Sequence, residues 1–234
     1  MNLARPRAIV VDIEGTTTPI SFVKETLFPF ARMRMAKFLA LHARDEDVAA
    51  ALAETRALAP GVEPVAALTR WIDEDRKVAP LKTLQGLVWE EGYLTGVIEA
   101  PVFPDAAEAL ADWHAAGIVL AVYSSGSVAA QKLLFAHSDR GDLTPLFSHW
   151  FDLALGPKLE PDSYRKIAAA LGGAGLFLSD HPGELDAAEA AGWDAIRLDR
   201  GKESMDAPPS RHRTVRSFAE IEFAEGAAKI GAPS

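Results

Sequence analysis

The stretch AIVVDIEGTTTP, residues 8–19, decides the reading of this chain. Ala8–Val11 is an unbroken apolar run that stops on Asp12, and two positions later comes Glu14, followed by the turn-forming Gly15. A short apolar run bounded in this way predicts a strand, Ala8–Asp12, buried on both faces as in a parallel sheet. Similar runs recur at Ile118–Tyr123, Leu176–Ser179 and Ala195–Leu198, and Phe151–Leu155 reads as a fifth strand. Helical patterns accompany them at Asp105–Ala116, Val128–Ala136, Pro161–Leu171 and Glu184–Ala191. This alternation predicts an α/β fold: a doubly wound, Rossmann-like parallel sheet with right-handed crossovers.

From Ser21 to Ala100 the rhythm breaks, and helix follows helix at Phe22–Leu41, Asp45–Ala57, Val65–Glu74 and Leu81–Thr95. Gly61, Pro64 and Pro80 punctuate this stretch, and Pro101 with Pro104 marks the return to the core. The expected organisation is a core built from residues 1–20 and 101–234, with a helical domain inserted over 21–100. Gly201–Ser210 reads as a polar, Pro-rich link, and Val215–Ile221 as a last edge element before a frayed Ala/Gly tail.

A chain of 234 residues is long enough for such a core with an insertion. The absence of cysteine excludes disulfides, zinc-thiolate sites and iron–sulfur clusters, and it suits a reducing compartment, so the cytoplasm is the expected location. The net charge of −9, with scattered basic residues, argues against nucleic acid and anionic membranes as partners. No apolar run approaches the roughly 20 residues of a membrane span, and a soluble monomer is expected. The six histidines show no metal-binding spacing.

In an open parallel sheet, ligands bind where loops leave the carboxyl ends of the strands. The first run delivers Asp12, Glu14 and Thr16 there, the second Ser124 and Ser125 from YSSGS, and Leu176–Ser179 delivers Asp180 with Glu184 and Asp186 behind it. Lys158, in GPKLEP, precedes the helix opening at Pro161. Asp12, Glu14 and Asp180 together form an oxygen-only set suited to Mg²⁺, which binds through a few carboxylates, waters and a substrate phosphate. A carboxylate beside such an ion and a phosphate can attack phosphorus, so Asp12 is read as nucleophile. Glu14 would act as general acid and then base. Ser124, Ser125 and the N–H groups opening the Val128 helix would hold phosphate oxygens, and Lys158 would offset the negative charge.

The order DIEGT, SSGS, GPK, LSDHPGE resembles the four motifs of the haloacid-dehalogenase-like phosphotransferase superfamily, with a helical cap between the first and second. DIEGTTTPISFVKETLFP, LQGLVWEEGY, YSSGSVAAQKLLFAHS and EPDSYRKIA further resemble the enolase-phosphatase family of methionine salvage, over nearly all of Ile9–Ile221. Glu14 agrees with this, since most phosphatases of the superfamily carry Asp at that place. The resemblance implies one Mg²⁺ per chain and a phosphorylated small-molecule substrate, 2,3-diketo-5-methylthiopentyl 1-phosphate, enolised and then dephosphorylated to an acireductone. By motif, Asp12 and Glu14 match the metal and catalytic pair, Ser124, Ser125 and Lys158 the substrate-binding residues, and Asp180 the last metal ligand. The enolisation base remains open among Glu14, Lys82 and Glu91, as do the roles of His181, Glu184 and Asp186. The alternative is a capped phosphatase of other specificity.

Overall fold

In the computed structural model, which describes residues 3–207 and 210–224, six parallel strands form one sheet. They are β1 (Ala8–Val11), β2 (Val119–Tyr123), β3 (His149–Phe151), β4 (Leu176–Ser179), β5 (Asp194–Leu198) and β6 (Arg213–Val215), in the order β3-β2-β1-β4-β5-β6. β1 is central, and the chain winds outward from it first through β2 and β3, then through β4 to β6. This order places the switch point, and the crevice that comes with it, at the carboxyl ends of β1 and β4.

Both faces of the sheet are covered, which explains the unbroken apolar runs. Ala8, Val10, Ala121, Tyr123 and Phe177 pack with residues of α7 (Pro161–Leu171) and α8 (Pro182–Ala190). The alternate residues Ile9, Val11, Leu120 and Val122 point the other way and are equally buried. α5 (Pro104–Ala115) packs against β2, and its Trp113 stacks on Phe218 at 5.5 Å between ring centroids.

The described contacts divide the chain into two compact units. One holds the sheet: the chain up to Ile20, Val102–Val128 and the chain from Asp142 onward. The other is helical and takes in Ser21–Pro101 with Ala129–Gly141. It contains α1 (Phe28–His42), α2 (Glu46–Leu58), α3 (Pro64–Asp73) and α4 (Ala79–Leu94), around a core that includes Met35, Phe38, Leu68, Trp71 and Leu84. α6 (Val128–Ala136) begins on the last residue of the first unit's middle segment. Among the described residues no helix is long and apolar enough to cross a membrane.

Several expected elements are displaced, each for a local reason. The fifth strand is His149–Phe151 rather than Phe151–Leu155, because the Asp152 carboxylate accepts from Ala154 N (2.9 Å) and folds the next residues into an Asx turn. The edge element is Arg213–Val215, whereas Phe218–Glu220 is a 3-10 turn closed by a Ser217–Glu220 capping box. The helix expected over Phe22–Leu41 opens as a wider π-helical turn, Phe22–Leu27, before α1. Pro29, in the first turn of α1, has no N–H to continue the ladder backwards. The link at Gly201–Ser210 opens with a 3-10 turn, Gly201–Glu203, and residues 208 and 209 of it lie outside the described residues. The Ala/Gly tail lies outside them from residue 225.

Candidate active site

β1 pairs with β2 so that Val11 faces Val122, and with β4 so that Val11 faces Leu178. The next residue, Asp12, therefore stands beside Tyr123 and Ser179, with Ser124 and Asp180 one step further along. Its backbone N–H still donates to Leu178 O at 2.9 Å, so the carboxylate projects from the last regular position of the central strand. Beyond it the chain turns tightly: Gly15 N donates to Thr18 O (2.8 Å), and Thr18 N to Ile13 O (3.0 Å). Gly15 has φ 70°, a conformation that glycine adopts without steric cost. A Cβ at Gly15 would lie 2.0 Å from Asp180 Oδ2, so the loop after β1 closes directly on the acid after β4.

Lys158 is the electrostatic centre. Its Nζ lies 2.6 Å from Asp12 Oδ1 and 2.7 Å from Glu184 Oε2, with only 7% of the residue exposed. Desolvation alone would discharge the ammonium, but the two carboxylates outweigh it and hold its pKa above that of an ordinary lysine. Three hydroxyls fasten the loop that carries it, each donating to a consecutive carbonyl. They are Tyr123 Oη to Gly156 O (2.9 Å), Ser163 Oγ to Pro157 O (2.8 Å) and Tyr164 Oη to Lys158 O (2.8 Å). Gly156 adds a packing demand, since a Cβ there would meet Ser163 Oγ at 2.3 Å. An otherwise mobile four-carbon side chain thus starts from a fixed backbone.

Glu184, whose role the sequence leaves open, belongs to this cluster. It accepts from Ser179 Oγ (2.9 Å) and meets Lys158, and burial followed by the Asp12 charge raises its pKa. His181 is a helix cap, its Nδ1 accepting from Gly183 N at 3.0 Å. With Pro182 at the first position, this cap starts α8 two residues earlier than the apolar pattern suggests. Asp186 faces away from the cluster and pairs with Arg211 and His212.

Asp180 is 4% exposed and is met by a neutral donor, Met205 N, at 2.6 Å from Oδ2, while its own N–H donates to Thr16 Oγ1 at 3.0 Å. Desolvation and then the Asp12 charge push its carboxyl up to about 7, with Glu14 adding to the repulsion. Excess negative charge at a desolvated corner is what a divalent cation would relieve, and carboxylate oxygens are suitable donors for Mg²⁺. Among the described residues no group of three or more Asp, Glu, His or Cys side chains is arranged to hold a metal by itself. The fit is therefore to an ion that draws the rest of its shell from water, main-chain oxygen and substrate, the usual habit of Mg²⁺.

Ser124 is buried and Ser125 exposed, immediately after β2. Ser124 Oγ accepts from Gly126 N at 3.3 Å, and Val128 N donates to Asp152 Oδ2 at 3.2 Å, which shapes the turn into α6. Lys82 and Glu91 lie on α4 in the helical unit, Lys82 exposed and Glu91 3.8 Å from His42 Nε2. The residues that sequence reasoning missed are Ser179, Tyr123, Ser163 and Tyr164. Only a polar hydroxyl inside an otherwise apolar strand or helix face hinted at them.

The model of the haloacid dehalogenase-like hydrolases matches residues 6–192. Enolase-phosphatase E1 of Granulibacter bethesdensis is 52% identical over 219 residues, covering 92% of this chain and 95% of that protein. Enolase-phosphatase E1 of Methylococcus capsulatus is 54% identical over 202 residues, covering 83% and 89%. The crystal structure of the UTR4 protein of Saccharomyces cerevisiae superposes with a TM-score of 0.78 at 35% identity, covering 92% of this chain and 100% of that one.

Proposed function

This chain belongs to the enolase-phosphatases within the haloacid dehalogenase-like hydrolases, and from that premise we propose that Asp12 is the nucleophile that takes the phosphoryl group from the enol of 2,3-diketo-5-methylthiopentyl 1-phosphate. The observation that carries this reading is the Asp12 carboxylate itself, at the end of the central strand and held by Lys158 Nζ at 2.6 Å. The ion pair fixes the orientation of the carboxylate for attack on phosphorus.

An Asp12 oxygen attacks phosphorus as the bond from phosphorus to the substrate oxygen breaks, and Glu14 delivers the proton that this leaving oxygen needs. Glu14, now a carboxylate, takes a proton from water; the water oxygen attacks phosphorus, the bond to Asp12 breaks, and phosphate leaves with Asp12 restored. Such proton transfer contributes about 10²–10⁴-fold. Ser124 and Ser125 hold the phosphate oxygens, whereas Gly126 N and Val128 N are engaged by Ser124 Oγ and Asp152 Oδ2. Lys158, itself fixed by Glu184, offsets charge as it gathers on phosphorus and Asp12.

Asp12 and Asp180 are the carboxylates that would hold one Mg²⁺. A Glu14 carboxyl that carries the transferred proton cannot also serve the ion, so Glu14 would contribute to it through its main-chain oxygen. When bound there, such an ion would neutralise charge on the phosphate and polarise a substrate carbonyl. The preceding enolisation needs a base at the carbon next to the carbonyl; Glu14, Lys82 and Glu91 are its candidates, separable by single substitutions followed through enol absorbance.

The test is a coupled assay with Mg²⁺, following enol absorbance and phosphate release together over a panel that adds sugar phosphates and phosphoglycolate. The expected result is turnover of the diketone phosphate in preference to the others, with an enol signal when the second step is slowed by Asp12→Asn. Preference for another phosphate ester would replace this substrate by the alternative, a phosphatase of other specificity.

A further inference from the structure

The turn that follows β5 touches the candidate site at three points, and none of the motifs contains it. Arg200 sends Nε and Nη2 to Thr16 O at 3.3 and 3.1 Å. Ser204 Oγ donates to Gly15 O at 3.1 Å and accepts from Arg200 N at 2.6 Å. Met205 N donates to Asp180 Oδ2 at 2.6 Å. We propose that Arg200–Met205 is a positioning segment, which sets the loop after Asp12 and the Asp180 carboxylate at their working separation. The inference rests on the roles given above to Asp12 and Asp180.

The geometry makes the segment a brace rather than a passive neighbour. Nη1 of Arg200 donates to Asp105 Oδ2 (2.8 Å) and to Arg216 O (2.9 Å), and the guanidinium lies over the rings of Phe103 and Phe218, 4.3 and 5.3 Å from their centroids. Asp105 is held in turn by Ser217 Oγ (2.9 Å) and Phe218 N (2.7 Å). A planar fork bonded along its edges and stacked on its faces has little freedom, and a lysine cannot reproduce it. Gly15 leaves no slack at the other end: a Cβ there would meet Asp180 Oδ2 at 2.0 Å and Ser204 Cα at 3.2 Å. The loop after β1, the acid after β4 and the turn after β5 therefore meet at one point, and moving one of them moves the others. The bond from Met205 also fixes the rotation of the Asp180 carboxylate, the kind of outer contact that orients a metal ligand.

The test uses the full chain with Met205→Pro, Ser204→Ala, Ser204→Thr and Arg200→Lys. Ser204 is extended (φ −113°, ψ 168°), a conformation that tolerates a following proline, so Met205→Pro removes the N–H without forcing Ser204 into a new conformation. Two readouts are taken: the dissociation constant of Mg²⁺ by calorimetry without substrate, and kcat and KM for phosphate release. For Met205→Pro, Mg²⁺ affinity is expected to fall about tenfold or more, the range known for outer partners of metal ligands. For Ser204→Ala and Arg200→Lys, kcat falls about tenfold or more with KM within about twofold, and Ser204→Thr, which keeps the hydroxyl, restores most of it. Should Met205→Pro not fold, Ser204→Ala decides. Folded variants that keep both Mg²⁺ affinity and kcat within about twofold of the parent overturn the proposal. A parent that binds Mg²⁺ but ignores the diketone phosphate, with affinity still lost in the variants, refutes the substrate while supporting the brace.

Discussion

Asp12 and Asp180 stand one position apart on neighbouring parallel strands and are both buried, yet they are held in opposite ways. Asp12 lies against the Lys158 ammonium at 2.6 Å, inside a cluster with its own balancing charge. Asp180 faces a peptide N–H and a glycine, and desolvation raises its carboxyl to about 7. One acid is in direct contact with its counter-charge, while the other is met by a peptide N–H. This difference suits the two roles proposed for them: Asp12 as the group that reacts, and Asp180 as the group whose main work is to hold a cation.

The sharpest way to break that comparison is to neutralise each acid in turn. Asp12→Asn is expected to abolish phosphate release, with a loss of at least about 10⁴-fold that added Mg²⁺ does not recover. Asp180→Asn is expected to weaken Mg²⁺ binding by about 100-fold or more, with activity partly regained at high Mg²⁺. In the metal-free protein the same substitution raises Tm, because it removes a buried charge that desolvation and the neighbouring Asp12 disfavour. Equal rescue of both variants by Mg²⁺, read from phosphate release across a Mg²⁺ titration, would erase the distinction.

A smaller effect probes how the balanced corner is held. Tyr164→Phe leaves Lys158 O without its donor; it should lower Tm by an amount corresponding to about 1 kcal/mol and kcat by up to about tenfold, with KM little changed. An unchanged kcat would mean that the Lys158 loop keeps its position without that hydroxyl. The smallest effect concerns Asp105, a carboxylate with a purely structural pairing. Burial would raise its pKa, but the Phe218 N–H and the Arg200 guanidinium outweigh burial and hold it below the ordinary carboxylate value. Its folded pKa lies below the unfolded one, so the stability it contributes is complete above about pH 4 and is lost as pH falls through the lowered value. Asp105→Asn should therefore lower the neutral plateau of a Tm-against-pH curve and flatten its acid limb, the two proteins converging in acid.

Much of the sheet was legible because strands buried on both faces leave an unmistakable apolar run, and Ala8–Val11, Val119–Tyr123 and Leu176–Ser179 all lie within such runs. That Asp12 and Asp180 emerge side by side follows from those runs and from the rule that places ligands at strand carboxyl ends. Phe151–Leu155 misled because Leu153 and Leu155 continue the apolar pattern past Asp152, whose side-chain hydrogen bond turns the backbone. The pairing of Lys158 with Glu184 and the three hydroxyls on Gly156, Pro157 and Lys158 had no periodic signal, since they join residues that only the tertiary fold brings together. The segment at Arg200–Met205 was hidden for a different reason. All of its bonds to the site, Arg200 to Thr16 O, Ser204 Oγ to Gly15 O and Met205 N to Asp180 Oδ2, run to or from main-chain atoms, which no residue pattern reports.

The central claim, that phosphorus becomes bonded to Asp12, is tested most directly by trapping. The enzyme is mixed with substrate and Mg²⁺, quenched in acid within a turnover, reduced with borohydride and digested, and the peptide containing residue 12 is weighed. Reduction of an aspartyl-phosphate converts the residue to homoserine, so the account expects that mass change at position 12, dependent on substrate and absent from Asp180. Phosphate release with an unaltered residue 12, or the mass change at Asp180 instead, would contradict it.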